Sequence, residues 1–125
     1  MKFLESLETE RFHIYKISDL LFCLEECKDH EKGLSGREHL HPKDGMLFQF
    51  DEPGKRSFHM KGCKIPLDIL FLKNNEIQKI YHNCPPCDDD ICEKYTCEDS
   101  DLVVELKGGT CKSKNISEGL IYRLF

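Results

Sequence analysis

The chain has 125 residues, 39% hydrophobic and 33% charged, enough for one core that buries about two-thirds of the unfolded surface and too rich in clustered Ile, Leu, Val and Phe for disorder. No apolar run approaches the roughly 18 residues that span a bilayer, and the first ten residues, MKFLESLETE, lack the apolar stretch of a secretion signal. A net charge of −5 argues against nucleic acid as a partner, so the expectation is a cytoplasmic protein without a membrane segment.

Residues 1–10 read as an N-terminal extension, and 11–125 as one β-rich domain. Phe12–Ile17 and Leu20–Leu24 are apolar stretches of strand length, Phe12, Ile14 and Lys16 falling on one face of the first and His13, Tyr15 and Ile17 on the other, with Ser18-Asp19 as the turn between them. Glu25 to Ser35 is polar and predicts a short helix ending near Gly33. His41 to Gly45 carries turn residues, and Met46–Phe50 is a strand. Glu52-Pro53-Gly54-Lys55 predicts a reversal, with Ser57–Met60 returning as a second strand. Ile65–Leu72 is the most apolar stretch and predicts the central buried strand. Asn74-Asn75 predicts a hairpin turn into Ile77–Tyr81. Residues 83–101 read as a cysteine-rich acidic loop. Leu102–Leu106 is a strand broken by Gly108-Gly109. Thr110–Asn115 reads as one helical turn capped by Thr110, and Leu120–Phe125 as a last strand. Seven or eight short strands with one or two short helices suggest a mainly β, barrel-like or sandwich-like domain.

Charge is unevenly placed. Residues 84–101 hold seven acids and one base, a net of −6, which leaves about +1 for the rest. Lys55, Arg56, Lys61 and Lys64 lie within ten residues that contain no acid. Two solvated faces would explain this. So would an anion site, because Arg and Lys give charge-assisted donors to carboxylate or phosphate. Asp68 lies inside the most apolar stretch, where a lone carboxylate is costly. Arg56 and Lys61 are its natural partners. Together with His59 they form a candidate site for a small polar or anionic ligand.

Eight cysteines are many for this length. Cys84, Cys87, Cys92 and Cys97 are spaced C-x2-C-x4-C-x4-C, the spacing of a zinc knuckle with cysteine in place of its histidine. Four thiolates could hold a structural zinc, the candidate cofactor. One or two disulfides, for example Cys87 with Cys92, are an alternative, as are free thiols or a site completed by Cys63, His59 or His82. Asp88-Asp89-Asp90 argues against a knuckle that grips nucleic acid. Cys23 suits core packing. His39 and His41 lack a third metal ligand in view. No phosphate loop or nucleophile elbow is present. A cysteine nucleophile at Cys63 with His59 as base is open.

The ordered blocks GMLFQF (45–50), RSFHMK (56–61) and IPLDILFL (65–72) resemble the core signature of domain-of-unknown-function family 192, also called uncharacterised protein family 0127. EKGLSGR (31–37), the Cys87, Cys92 and Tyr95 positions, VVELKGG (103–109) and ISEG (116–119) resemble its further segments. His59 stands where the family commonly has tryptophan, Gly62-Cys63 where Asn-Thr is usual, and Cys84 and Cys97 flank the usual cysteine pair. These departures resemble the variants carried by phages of marine cyanobacteria. The resemblance implies a compact β domain and no settled activity. The family often keeps only the Cys87/Cys92 pair, which implies a disulfide or a redox role. The reading is therefore a non-catalytic domain that binds a small polar ligand or a protein. The alternatives are a thiol-redox or hydrolytic enzyme using Cys63 or the cysteine cluster, and a purely structural accessory protein.

Overall fold

The computed structural model describes residues 12–17, 19–27, 30–120 and 122–124. The N-terminal extension expected at 1–10 lies outside them. The described elements are β1 (Phe12–Ile17), β2 (Leu20–Glu26), β3 (Asp44–Phe58), β4 (Leu67–Lys73), β5 (Glu76–Cys84), β6 (Tyr95–Lys107), α1 (Thr110–Ser113) and β7 (Tyr122–Leu124). The strands form one seven-stranded sheet in the order β5-β4-β6-β3-β2-β1-β7. All pairs are antiparallel except β2 with β3.

The mainly β expectation holds, but the sheet is not a closed barrel. Its ladder stays open between β5 and β7. The Ile77 amide of β5 instead donates to Leu120 O at 2.9 Å, and the Gly119 amide to Ile77 O at 2.7 Å. These bonds protect an edge that would otherwise offer unpaired backbone groups.

Side-chain alternation sends apolar residues to both faces. Ile17, Leu24, Leu47, Leu70, Leu72, Val104 and Leu106 pack in one core with Cys111 and Ile116. Met46, Phe48, Leu67, Ile69, Phe71 and Val103 pack in another with Cys27, Leu34, Leu40, Met60 and Cys63 from connecting segments. A parallel β2–β3 pair needs a long crossover, and the described part of it, with Cys27, Leu34 and Leu40, covers that face together with Met60 and Cys63 from the connection of β3 to β4.

Four expectations about elements change. The helix expected over Glu25–Gly33 is absent among the described residues: β2 runs through Glu26, the Cys27 amide extends the ladder to Leu47 O at 2.8 Å, and 30–36 are turns. The segment has no apolar stripe to hold a helix on the sheet, so pairing with β3 wins. The Pro53-Gly54 reversal is a pair of register shifts inside one strand, between Gln49 and Gly54 and between Gly54 and Arg56. Both halves of β3 keep the same long partner, β6, so the extra residues bulge instead of turning back. The acidic loop shrinks to 85–94, because β5 ends at Cys84 and β6 begins at Tyr95. Finally, β4 is second from the edge of the ladder. It still lies between β5 and β6, with Leu67 to Leu72 all buried, and so keeps the character expected of an inner strand. The Asn74-Asn75 turn forms as expected, with φ of 50° and 65°.

Candidate functional site

Asp68 does not face the basic segment. Its side chain is fully buried on the face of Leu70 and Leu72, away from Arg56 and Lys61. Oδ1 accepts from the amides of Asn83 at 2.7 Å and Gly109 at 3.1 Å, and Oδ2 from the amide of Cys111 at 2.8 Å. Asp68 therefore supplies the side-chain acceptor for the start of α1, whose N-cap is Gly109 with φ 90° and no side chain of its own. Thr110 is not the cap. The expected partnership of Asp68 with Arg56 and Lys61 is replaced by three backbone donors, which satisfy a buried carboxylate as fully as an ion pair would.

Another acid occupies the basic face. Glu105 of β6 lies opposite Met46 of β3 and Ile69 of β4, so apolar side chains flank it on both sides. It is 4% exposed, and no hydrogen-bond donor among the described residues reaches its carboxyl. Burial alone pushes it from the usual carboxylate range up to about 8. Burial between apolar neighbours disfavours the charged form of the acid.

Glu105 lines a cleft of about 500 Å³, a size that suits a small ligand. The turn at His30–Leu34 forms one wall. Gly33 holds φ +49° there, and a Cβ on it would come within 3.3 Å of the Phe48 ring and 3.8 Å of Glu105 Oε1. Edge-to-face ring contacts build the apolar walls: His30 meets Phe48 and Phe50 at 5.6 and 5.1 Å, and Phe48 meets Phe58 at 4.9 Å. The segment from Lys55 to Cys63 forms the opposite wall and brings Arg56, His59 and Lys61 to the same opening.

The cations are held in different ways. Arg56 Nε donates to Ser100 O at 3.1 Å and Nη2 donates to Glu52 O, while the guanidinium lies 3.9 Å over the Phe50 ring. The bulges in β3 thus turn Arg56 into a fixed positive plane. Lys61 Nζ donates to Asp89 O at 2.6 Å, and the Lys61 amide donates to His59 Nδ1 at 3.1 Å. Lys55 is exposed at the rim. Cys63 lines the same cleft, but burial, with Glu105 adding to it, pushes its thiol up to about 11. It is a protonated thiol, the wrong state for a nucleophile.

The four candidate zinc ligands do not converge. Cys87 and Cys92 are joined in a disulfide, with Cα atoms 6.1 Å apart. Cys84 is buried, its thiol pushed up to about 11 chiefly by burial, and Cys97 lies on β6. Among the described residues no three His, Cys, Asp or Glu side chains are grouped to hold a metal ion. His39 and His41 border a separate depression with Ile65 and Pro66, and His82 another with Cys111 and Glu118. Of the residues singled out in the sequence, the structure unites Arg56, His59, Lys61 and Cys63, and leaves out Asp68. Glu105 was missed. Its signal was present, as an acid in the apolar run LVVEL.

The profile of domain-of-unknown-function family 192, described as Uncharacterized ACR, matches residues 23–122. No curated protein matches the chain. Two solved structures are similar. One is from Sinorhizobium meliloti, described as a candidate transcription regulator, with TM-score 0.78 and 26% identity over 91% of this chain and 92% of that one. The other is a protein of unknown function from Novosphingobium aromaticivorans, with TM-score 0.79 and 24% identity over 90% of this chain and 84% of that one, a likeness of fold alone. No helix among the described residues is long and apolar enough to cross a membrane.

Proposed function

The chain belongs to domain-of-unknown-function family 192, and we propose that it is a non-catalytic binding module for a small anionic molecule. One observation carries this reading. A cleft of ligand size has an unpartnered carboxyl in its base and Lys55, Arg56 and Lys61 around its opening. Glu105 is 4% exposed and lines the cleft, so a ligand that enters meets a carboxyl there with apolar side chains on either side. The cations at the opening draw anions in and leave donors free to hold them, since Arg56 uses only part of its fork on Ser100 and Glu52. Thiol catalysis at Cys63 lacks support, because its surroundings keep the sulfur protonated.

The test is an amide NMR titration of the intact protein with acetate, succinate and inorganic phosphate. Shifts are expected at residues 30–34, 55–63 and Glu105. Lys55→Gln and Lys61→Gln are expected to weaken binding each by about threefold to tenfold, the effect of losing one partly exposed charge-assisted contact. Shifts scattered over the surface, or binding unchanged in both variants, would sink the reading.

A further inference from the structure

The chemistry at the base of the cleft narrows what it holds. Met46 and Ile69 flank Glu105 on the sheet, and neither titrates. Two thiols, Cys63 and Cys84, interact with Glu105 electrostatically, and burial pushes both up to about 11. The 30–34 turn contributes His30, Glu31 and Lys32 to the cleft, and the facing segment contributes Lys55, Arg56, His59 and Lys61. The base is therefore apolar around one carboxyl, and the mouth is mostly cationic. A ligand cation would have to pass that mouth and then be desolvated together with an ionised Glu105, which costs several kcal/mol per ion. A carboxylate is drawn in by the same mouth, and a neutral Glu105 has an O–H to give it.

Resting on the binding reading above, we propose that the occupant is a small organic carboxylate bound as an acid–carboxylate pair: Glu105, in its neutral form, donates its O–H to a ligand oxygen, and Lys55, Arg56 and Lys61 balance the ligand's charge. One proton is shared between two carboxyl groups, as happens wherever two of them meet in a dry site. No bond breaks. Where the free protein has lost the Glu105 proton, binding takes one up from solvent.

The experiment has two parts. Carbon NMR of Glu105 without ligand reads its titration directly, with a midpoint expected near 8. A midpoint near 4.5 overturns the inference whatever binds. Calorimetric titration with acetate, succinate and inorganic phosphate, in two buffers of different ionisation enthalpy, then reads the proton. Binding of the carboxylates is expected to weaken about tenfold from pH 7 to pH 9, with proton uptake at pH 8.5. Glu105→Gln keeps a neutral donor without a titrating proton, and is expected to bind with no such pH dependence. Carboxylate binding that is independent of pH overturns this inference and leaves the binding reading standing. So does phosphate binding alone. Proton release with tighter binding at high pH would overturn it in favour of a cationic ligand group. No binding by any probe overturns both.

Discussion

Glu105→Gln is expected to make the protein more stable, and increasingly so as pH rises. The native carboxyl holds its proton up to about pH 8, against an ordinary value of 4.5. Between those values the unfolded chain has released the proton and the folded chain has not. Stability therefore falls with rising pH across that window and levels off above it, the reverse of the usual ion-paired carboxylate. Each pH unit costs about 1.4 kcal/mol. The full span of 3.5 units (4.5 to 8) sets a ceiling of about 5 kcal/mol. Glutamine has the same shape and is neutral throughout, so it stands in for the protonated acid. Wild type and variant are expected to agree within about 1 kcal/mol at pH 4.5, and to separate by about 3 kcal/mol more between pH 5 and pH 7. Urea unfolding of both proteins at matched pH values measures this, and taking the difference cancels every other titrating group. A flat difference, or a wild type that gains on the variant as pH rises, would show that Glu105 is ionised in the fold and would refute the argument. The expected sign also carries meaning. A residue whose removal stabilises the fold is being kept for something other than the fold.

Asp68→Ala is expected to cost about 3 to 5 kcal/mol in urea unfolding, because it strands the amides of Asn83, Gly109 and Cys111, with Asp68→Asn costing less. A loss below about 1 kcal/mol would mean that water replaces the carboxylate. Gly45→Ala places a Cβ 2.5 Å from Glu105 O and 2.8 Å from both Leu24 Cδ2 and Leu106 Cδ2, so a loss of about 3 kcal/mol or more is expected on thermal unfolding. A variant as stable as wild type would show that β3 and β6 can separate there. Thiol counting in denaturant without reductant is expected to give six, and eight after reduction, with amide exchange faster at 88–91 once the Cys87–Cys92 bond is cut. Eight thiols at the outset with one zinc removable by chelator would restore the knuckle reading.

Much of the strand pattern could be read from the chain alone, because alternation and turn chemistry are local. Phe12–Ile17 forms a strand that buries Tyr15 and Ile17, with Phe12, Ile14 and Lys16 together on the exposed face, as the period of two groups them. Leu67–Leu72 is apolar at nearly every position because both its faces are covered. Asn74 and Asn75 accept positive φ at little cost, and so mark the hairpin. The basic wall of the cleft was also visible, since Arg56, His59 and Lys61 are neighbours in sequence. The bulges of β3 were not, because Pro-Gly serves a reversal and a bulge equally well, and only the length of β6 decides between them.

The choice between Asp68 and Glu105 belongs to tertiary structure entirely. Each is an acid in an apolar strand, and each looks equally out of place. Parity along the strand puts Asp68 on the side of Leu70 and Leu72, where α1 begins, and Glu105 on the side of Val103, beneath the 30–34 turn. A sequence states which residues share a face, but what covers that face comes from segments tens of residues away. One carboxyl met three amides and became part of the scaffold. The other met apolar side chains, two thiols and an opening, and burial there favours its neutral form.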